Sequence, residues 1–229
     1  MSKIYAISDI HGCSKTFNEL LNKISFSTND TLYLLGDYID RGPGSIQTID
    51  KVIELQSSGY NIKCLRGNHE QMMLNSIQHL SQSILWEKNG GDKVLDELGI
   101  HSASQIPQKY INFIEGLPYY IETDDFFFVH AGLNLQIPDP LQDKESMIWI
   151  RNWEDSELVS EFLDGKKLIH GHTPQSNQQI EKTFGYFCNG YVSVLNIDNG
   201  CVFQYPNYNS LCLVNLTDGK LSFQPNIEY

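Results

Sequence analysis

Apolar runs of strand length alternate with amphipathic stripes through the first third of the chain. Ile4-Tyr5-Ala6-Ile7, Leu32-Tyr33-Leu34-Leu35 and Ile62-Lys63-Cys64-Leu65 are too short for helices, and each reads as a strand. Between them the apolar period lengthens to that of a helix. Phe17, Leu20, Leu21 and Ile24 recur at i, i+3, i+4, i+7 behind Ser14, the expected N-cap. Ile46, Ile49 and Ile53 stripe the segment after Ser45, and Met72, Met73, Ile77 and Leu80 the segment after the third run. A βαβαβα order of this kind predicts parallel strands joined by right-handed crossovers.

The pattern then loosens. From about Ser81 to Asp125, Trp86 and Asn89-Gly90-Gly91 read as a loop and Val94, Leu95 and Leu98 as a short helix stopped by Gly99. Ile111 with Ile114 reads as another helix, opened by Pro107. Phe126-Phe127-Phe128-Val129 and Lys167-Leu168-Ile169 are further strands. The tail predicts two hairpins: Val192 to Ile197 turning at Asp198-Asn199-Gly200 into Val202-Phe203, and Leu211 to Leu216 turning at Asp218-Gly219 into Leu221 to Phe223. No repeat, low-complexity tract or linker interrupts the chain. Residues 1–229 are therefore expected to form a single domain of the α/β class, or α+β by some schemes.

Polar motifs stand where the strands stop. Ser8-Asp9-Ile10-His11-Gly12 follows the first run, Gly36-Asp37-Tyr38-Ile39-Asp40-Arg41-Gly42 the second, and Arg66-Gly67-Asn68-His69-Glu70 the third. Asp9 and Asp37 are 28 residues apart and Asp37 and Asn68 are 31, close to the roughly 30 of one strand-plus-helix unit. The three motifs are expected at the carboxyl ends of parallel strands, on the edge where open α/β sheets hold ligands. Val129-His130-Ala131-Gly132 and His170-Gly171-His172-Thr173-Pro174 end two later strands in the same way. Aspartate, asparagine and histidine offer the oxygen and imidazole donors that suit Mn, Fe and Zn. Together the five motifs describe a two-metal hydrolytic centre.

Charge and cysteine usage narrow the field. Sixteen basic and twenty-eight acidic side chains give a formal charge of −12. That balance opposes nucleic-acid binding, which needs clustered Lys and Arg to neutralise phosphates. No apolar run approaches the roughly 18 residues of a membrane span, and Met1-Ser2-Lys3 begins no signal-peptide pattern. A cytoplasmic protein with no membrane partner is expected. Five cysteines with no C-x-x-C pair speak against a disulfide framework or a zinc–thiolate site. Covalent cysteine phosphatases need Arg six positions after the Cys, where this chain has Glu19, Glu70, Val194, Asn207 and Asp218. The D-x-D pair of aspartyl-phosphate chemistry is absent as well.

Hydrolysis of a phosphate monoester is among the slowest uncatalysed reactions, with accelerations of up to about 10²¹ required. Two cations roughly 3.5–4 Å apart meet that need by clamping phosphoryl oxygens and activating water. A carboxylate must bridge them, arginines must bind the remaining oxygens, and an acid must protonate the departing alkoxide. With candidates for all of these, the chain resembles the phosphoprotein phosphatase family of calcineurin-like metallophosphoesterases, whose pattern is GD-x-HG, GD-x-x-DRG and GNHE followed by two further histidines. The resemblance runs from Asp9 to about Gly200. It is most similar to the small bacterial and bacteriophage-lambda-like serine/threonine protein phosphatases, through GNHE-Q-M-M, W-x-x-NGG, I-W-x-R and GHTP. The resemblance implies a metallophosphoesterase fold, a central β-sandwich of mixed sheets flanked by helices in four α/β/β/α layers. It also implies two divalent metal ions, commonly manganese, with Fe, Zn, Co and Ni as alternatives.

Carried over residue by residue, the resemblance gives Asp9 and His11 to the first metal, Asp37 to the bridge, and Asn68, His130 and His172 to the second metal. His69 matches the general acid, oriented by Asp40; Arg41 and Arg151 match the phosphate-binding arginines, with Asn68 also at the substrate. The implied chemistry is in-line attack by activated water without a phosphoenzyme. Ser8 departs from the first Gly of GD-x-HG, and Arg151 rests on the looser segment Ile148-Trp149-Ile150-Arg151.

Each motif alone has a structural reading as well. Asp40-Arg41 could be an ion pair in the turn before Gly42-Pro43-Gly44, and Asn68-His69 a helix start. His170 and His172 point to the same side of a strand, so only the GHTP pattern selects His172 and leaves His170 packed behind it. His79 and His101 read as ordinary surface or helix residues and Cys13 as a packing residue. Trp86 with Asn89-Gly90-Gly91 either walls the substrate cleft or is a plain loop. Asp198 and Gly200 resemble a family D-x-G segment with no catalytic role assigned.

The expected activity is a phosphomonoesterase acting on phosphoserine or phosphothreonine in phosphorylated proteins and on small phosphate esters. The alternatives are a symmetrical diadenosine tetraphosphate hydrolase and a broad-specificity phosphatase/phosphodiesterase. The diadenosine tetraphosphate hydrolases typically carry Ala for the second Asp and GNHD for GNHE, whereas Asp40 and Glu70 follow the phosphatase pattern. A binding module that had lost catalysis would lack a ligand or the acid, and none is missing.

Overall fold

The structure, a computed structural model, describes residues 2–153 and 156–229; Met1, Glu154 and Asp155 lie outside the described residues. Strands β1 (Ile4–Ile7), β2 (Thr31–Leu34) and β3 (Asn61–Cys64) lie parallel, joined by helices α1 (Ser14–Lys23) and α2 (Ser45–Ser57). Ile7 pairs with Leu34 and Leu34 with Cys64, so the three strands stop level and their motifs leave along one edge. Helix α3 (Asn68–Gln78) starts inside the third motif and is followed by α4 (Leu80–Trp86), α5 (Asp92–Leu98) and α6 (Gln108–Glu115).

A second sheet then forms from β4 (Tyr120–Glu122), β5 (Phe126–Val129), β6 (Lys167–His170) and β7 (Val194–Asn196) in that order. Helices α7 (Lys144–Trp149) and α8 (Ser156–Leu163) separate β5 from β6, and α9 (Asn177–Cys188) separates β6 from β7. The antiparallel hairpin β8 (Ser210–Asn215) and β9 (Lys220–Pro225) returns to complete the first sheet, in the order β3-β2-β1-β8-β9.

Period-two alternation decides which side chain joins which layer. Tyr5, Ile7, Leu32 and Leu34 pack outward against Phe17, Leu20, Ile49 and Val52 of the first two helices. Their neighbours Ala6, Tyr33 and Leu35 face the other way and meet Phe128, Ile169 and Leu195 of the second sheet. Phe127, Val129 and Leu168 face outward again, against Met147, Val159 and Leu163. Tyr33 stacks on Phe128 across the two sheets at 4.0 Å between ring centroids. Each such side chain, fully buried, contributes roughly 1.5–3 kcal/mol. The result is the helix/sheet/sheet/helix sandwich that the resemblance implies. No helix among the described residues is long and apolar enough to cross a membrane.

Three local expectations change. Val194–Asn196 does not turn back onto Val202-Phe203; it pairs parallel with β6, Leu195 beside Ile169, and residues 202–203 belong to no strand. Gly200 has the positive φ of 62° that makes Asp-Asn-Gly look like a hairpin turn, but β7, buried along its length, takes the edge of the second sheet beside β6 instead. Ser14 is the first helical residue rather than the cap; Cys13 takes that position without a side-chain cap, and the Ser14 hydroxyl reaches Gln47 Oε1 at 3.2 Å. Trp86 lies in helix α4, and residues 87–91 form one wide helical turn, broken at Gly90, that runs into α5. Gly99 does stop α5, in a left-handed conformation.

Candidate metal centre

The residues that leave the strand ends carry strained backbone. Asp9, His11, Asp37, Asp40, Arg41 and His172 all have φ between 36° and 71°, a region that costs a non-glycine residue about 1–3 kcal/mol. Hydrogen bonds between loops hold them there. His11 N–H donates to Asp37 O at 2.8 Å, Gly12 N–H to Tyr38 O at 2.8 Å and Gly42 N–H to His11 O at 3.0 Å. The fully buried Glu70 accepts from the backbone N–H groups of Asp37, Tyr38 and Gly67 at 2.8, 2.8 and 2.9 Å, tying the second motif to the third. Burial, with the charge of Asp37 behind it, pushes the Glu70 carboxyl up to about 8. Two glycines permit the close approach: a Cβ on Gly67 would strike the Asp37 carboxylate, and one on Gly171 the side chains of Ser8 and Asp9.

Two groups of donors share Asp37. His11, Asp37 and His69 form one, and Asp37, His130 and His172 the other; within each, one donor atom per residue lies within 4.8 Å of the others. The tautomers follow from the carbonyls that the imidazoles face. His11 Nδ1 is 2.9 Å from Ile39 O and His130 Nδ1 is 2.8 Å from Leu35 O, so each Nδ1 donates and each Nε2 turns a lone pair inward. Burial keeps both imidazoles neutral by lowering their pKa, and holds His172 at about 3.

His130 Nε2 and His172 Nδ1 each sit 3.0 Å from Asn68 Oδ1, while Asp37 Oδ1 and Oδ2 lie 3.5 Å from His130 Nε2 and His11 Nε2. His130 Nε2 facing Asn68 Oδ1, and the Nε2 atoms of His130 and His11 facing the Asp37 carboxylate, are acceptors facing acceptors, which repel unless a cation lies among them. The carboxylates agree. Burial opposes charge on Asp37, yet its place among His130, His69, His11 and His172 holds its carboxyl below the usual carboxylate range. Burial pushes the Asp9 carboxyl well up, and the neighbouring charges of Asp198 and Asp37 push it further. This donor set fits divalent metal.

A separate relay runs through His69. Its Nδ1 is 2.6 Å from Asp40 Oδ2, and Trp86 Nε1–H donates to the same carboxylate at 2.9 Å. Burial lifts the Asp40 carboxyl to about 6 despite the His69 contact. At His69 burial disfavours the cation, but Asp37 and Asp40 prevail and raise its pKa. Arg41 donates from Nη2 to His69 Nε2 at 2.9 Å and from Nη1 to His11 Nε2 at 2.6 Å. A guanidinium has no lone pair, so Nε2 of His69 is the acceptor here, and Arg41 must turn away before that nitrogen can carry a proton. His69 belongs to the first donor group, yet its Nδ1 faces a carboxylate and its pKa is raised. The Nδ1 atoms of His11 and His130 face backbone carbonyls and their pKa values are lowered, a difference that favours an acid over a ligand at His69.

A cavity of about 170 Å³ gathers His11, Asp37, Arg41, Asn68, His69, Arg151 and His172 from among the sequence-derived candidates. Asp9, Asp40 and His130 lie buried behind it. Asp9 adjoins these groups, its carboxylate accepting the His172 N–H at 3.0 Å and the Ser8 hydroxyl. Arg151 is exposed and donates to Thr173 Oγ1 at 3.1 Å. His170 packs edge-on against Trp153 at 5.6 Å between ring centroids.

Sequence reasoning missed three contributors. Asp198 lines the cavity, its carboxyl lifted to about 7 by burial. Glu70 served only as a pattern match. Trp86 is the anchor of Asp40, and the W-x-x-NGG segment was its signal: Gly91 lies against the indole and Gly90 O accepts the Arg41 N–H at 3.1 Å. Trp86→Phe keeps the packing but removes the donor. It is expected to lower kcat about tenfold with KM little changed and to shift the pH profile set by His69, a combination that loss of packing alone would not produce.

The family model described as calcineurin-like phosphoesterase matches residues 2–203. The chain belongs to the calcineurin-like phosphoesterases. As such it is a hydrolase of phosphate esters, and its two His/Asp groups match the binuclear divalent-metal chemistry of the family. This phosphoesterase is 27% identical over 206 residues to serine/threonine-protein phosphatase 1 of Salmonella typhimurium, covering 87% of each chain, which upholds the phosphoprotein phosphatase resemblance. It is also 27% identical to the asymmetrical bis(5′-nucleosyl)-tetraphosphatase PrpE of Oceanobacillus iheyensis, over 88% of this chain and 85% of that one. Among solved structures, a serine/threonine phosphatase from Saccharomyces cerevisiae matches with a TM-score of 0.65 and 18% identity, covering 100% of this chain and 81% of that one, and so shares the fold.

Proposed function

We propose that this calcineurin-like phosphoesterase is a phosphomonoesterase acting on phosphoserine and phosphothreonine in proteins. The observation that carries the reading is the Trp86–Asp40–His69 relay beside the shared carboxylate, since an alkoxide leaving group needs an acid held in place. Asp9, His11 and Asp37 would hold one cation, and Asp37, Asn68, His130 and His172 the other, with manganese the expected metal. Bound there, two divalent ions supply a Lewis acid for the phosphoryl oxygens and a water made acidic enough to attack.

The chain's own residues do the rest. Arg41 and Arg151 bind the phosphoryl oxygens, and Arg41 leaves His69 as it does so. His69, its pKa raised by Asp37 and Asp40, takes a proton at Nε2 and passes it to the departing seryl oxygen. Asp40 keeps the ring aimed and favours the protonated form, and Trp86 fixes Asp40. No side chain is placed as a covalent nucleophile.

A second reading, hydrolysis of dinucleoside tetraphosphates, draws on the similarity to the PrpE protein. The charge census favours the first. Arg41 and Arg151 are the cationic side chains lining the cavity, enough for one phosphoryl group and short of what four in a row would need. Phosphate release from a phosphoserine peptide and from diadenosine tetraphosphate, each with added Mn and with chelator, tests this. Turnover of the peptide at least about tenfold more efficient in kcat/KM is expected; the reverse preference would transfer the assignment to the second reading.

A further inference from the structure

A second cavity, of about 590 Å³, adjoins the first and shares Arg151 with it. That volume falls within the roughly 300–1,000 Å³ of ligand sites. Its lining among the described residues includes Gln136, Asn152, Gln175 and Asn196, with Trp153 beside them. Among the described residues Arg151 is the one permanent charge in its lining, and no carboxylate is found there.

Some of these groups are already engaged. Asn196 donates to Thr173 O at 2.8 Å and accepts the Asp198 N–H at 2.8 Å, and Trp153 Nε1–H donates to Ala131 O at 3.1 Å. Gln175 differs. Among the described residues its buried Oε1 has no hydrogen-bond partner, an unsatisfied acceptor that a turn of this cavity-lining side chain would present to a donor.

We propose that this cavity holds the residues flanking the phosphorylated side chain, an extended stretch of the substrate polypeptide. The inference rests on the phosphoprotein reading above and adds where the rest of the substrate goes. With Arg151 committed to the phosphoryl group, what continues from it is neutral and hydrogen-bonding. A polypeptide backbone presents one N–H and one C=O per residue, and primary amides pair with both. Gln175 Oε1 then receives a backbone N–H. The further phosphates of a polyphosphate chain would meet no second cation here.

Two variants test it. Gln175→Leu removes the acceptor with little change in volume, and Gln136→Trp, at an exposed position, fills the mouth of the cavity. Both are assayed on a phosphoserine peptide with several residues on each side, on p-nitrophenyl phosphate, and on diadenosine tetraphosphate. The peptide KM is expected to rise about threefold to tenfold in each variant with kcat held, while the aryl phosphate, which has no flanking residues, shows unchanged constants. If wild-type protein turns over the peptide and both variants match it, the cavity assignment is overturned and the phosphoprotein reading survives. If wild-type protein hydrolyses the aryl phosphate but no phosphopeptide, both fall together. An effect confined to diadenosine tetraphosphate overturns the peptide assignment in favour of a nucleoside occupant.

Discussion

His69→Asn is expected to lower kcat on a phosphoserine peptide by about 10²–10⁴ while costing p-nitrophenyl phosphate about tenfold or less. The difference lies in the leaving group. A seryl alkoxide cannot depart without a proton, whereas a nitrophenolate leaves as an anion, so an acid matters chiefly to the first. The asparagine amide can still donate toward Asp40, which otherwise would keep Trp86 as its side-chain donor in a fully buried site. The fold should therefore survive. The alkaline limb of the kcat profile, where His69 gives up its proton, should vanish with the substitution. Equal losses on the two substrates, measured with metal saturating, would sink the assignment of His69 as the acid.

Asp37→Asn should act on both halves of the centre at once, because both donor groups contain this carboxylate. Turnover is expected to fall by about 10²–10³ or more, the range seen when one electrostatic element of a preorganised site is removed. Thermal unfolding gives an independent readout. Metal at about 100 times its Kd stabilises a protein by about 2.7 kcal/mol, a rise of roughly 5–10 °C in Tm for a chain of this size. Wild-type protein should show that rise on adding Mn, and the variant should show little of it. A full Tm shift in the variant would mean that Asp37 does not bridge. Mn, Fe, Zn, Co and Ni compared in the same titration would rank the metals.

Much of the centre was legible because its ligands sit at strand ends. Asp9, Asp37 and Asn68 recur at intervals of one βα unit, and parallel pairing with Ile7, Leu34 and Cys64 in register converts that interval into adjacency. The failures are equally physical. Asp198-Asn199-Gly200 carries the local signature of a tight turn, and nothing local shows that the strand before it pairs with β6, 26 residues earlier in register. Trp86 looked like part of a loop because the wide turn at 87–91 breaks the helical period beside two glycines. Its indole finds Asp40 from 46 positions away, a contact that no periodicity encodes.

The order of strands and helices in the first sheet and the sidedness of its core were set by local pattern, since strand alternation and helix period act over a few residues. Which atoms of the candidate metal donors face one another was decided in three dimensions. So was the turn of the Asp9 carboxylate toward the His172 amide, and so was the amide-lined cavity beyond Arg151. These depend on where chain segments distant in sequence come to rest. That is fixed by how the two sheets pack, a property of the whole buried interface rather than of any one segment.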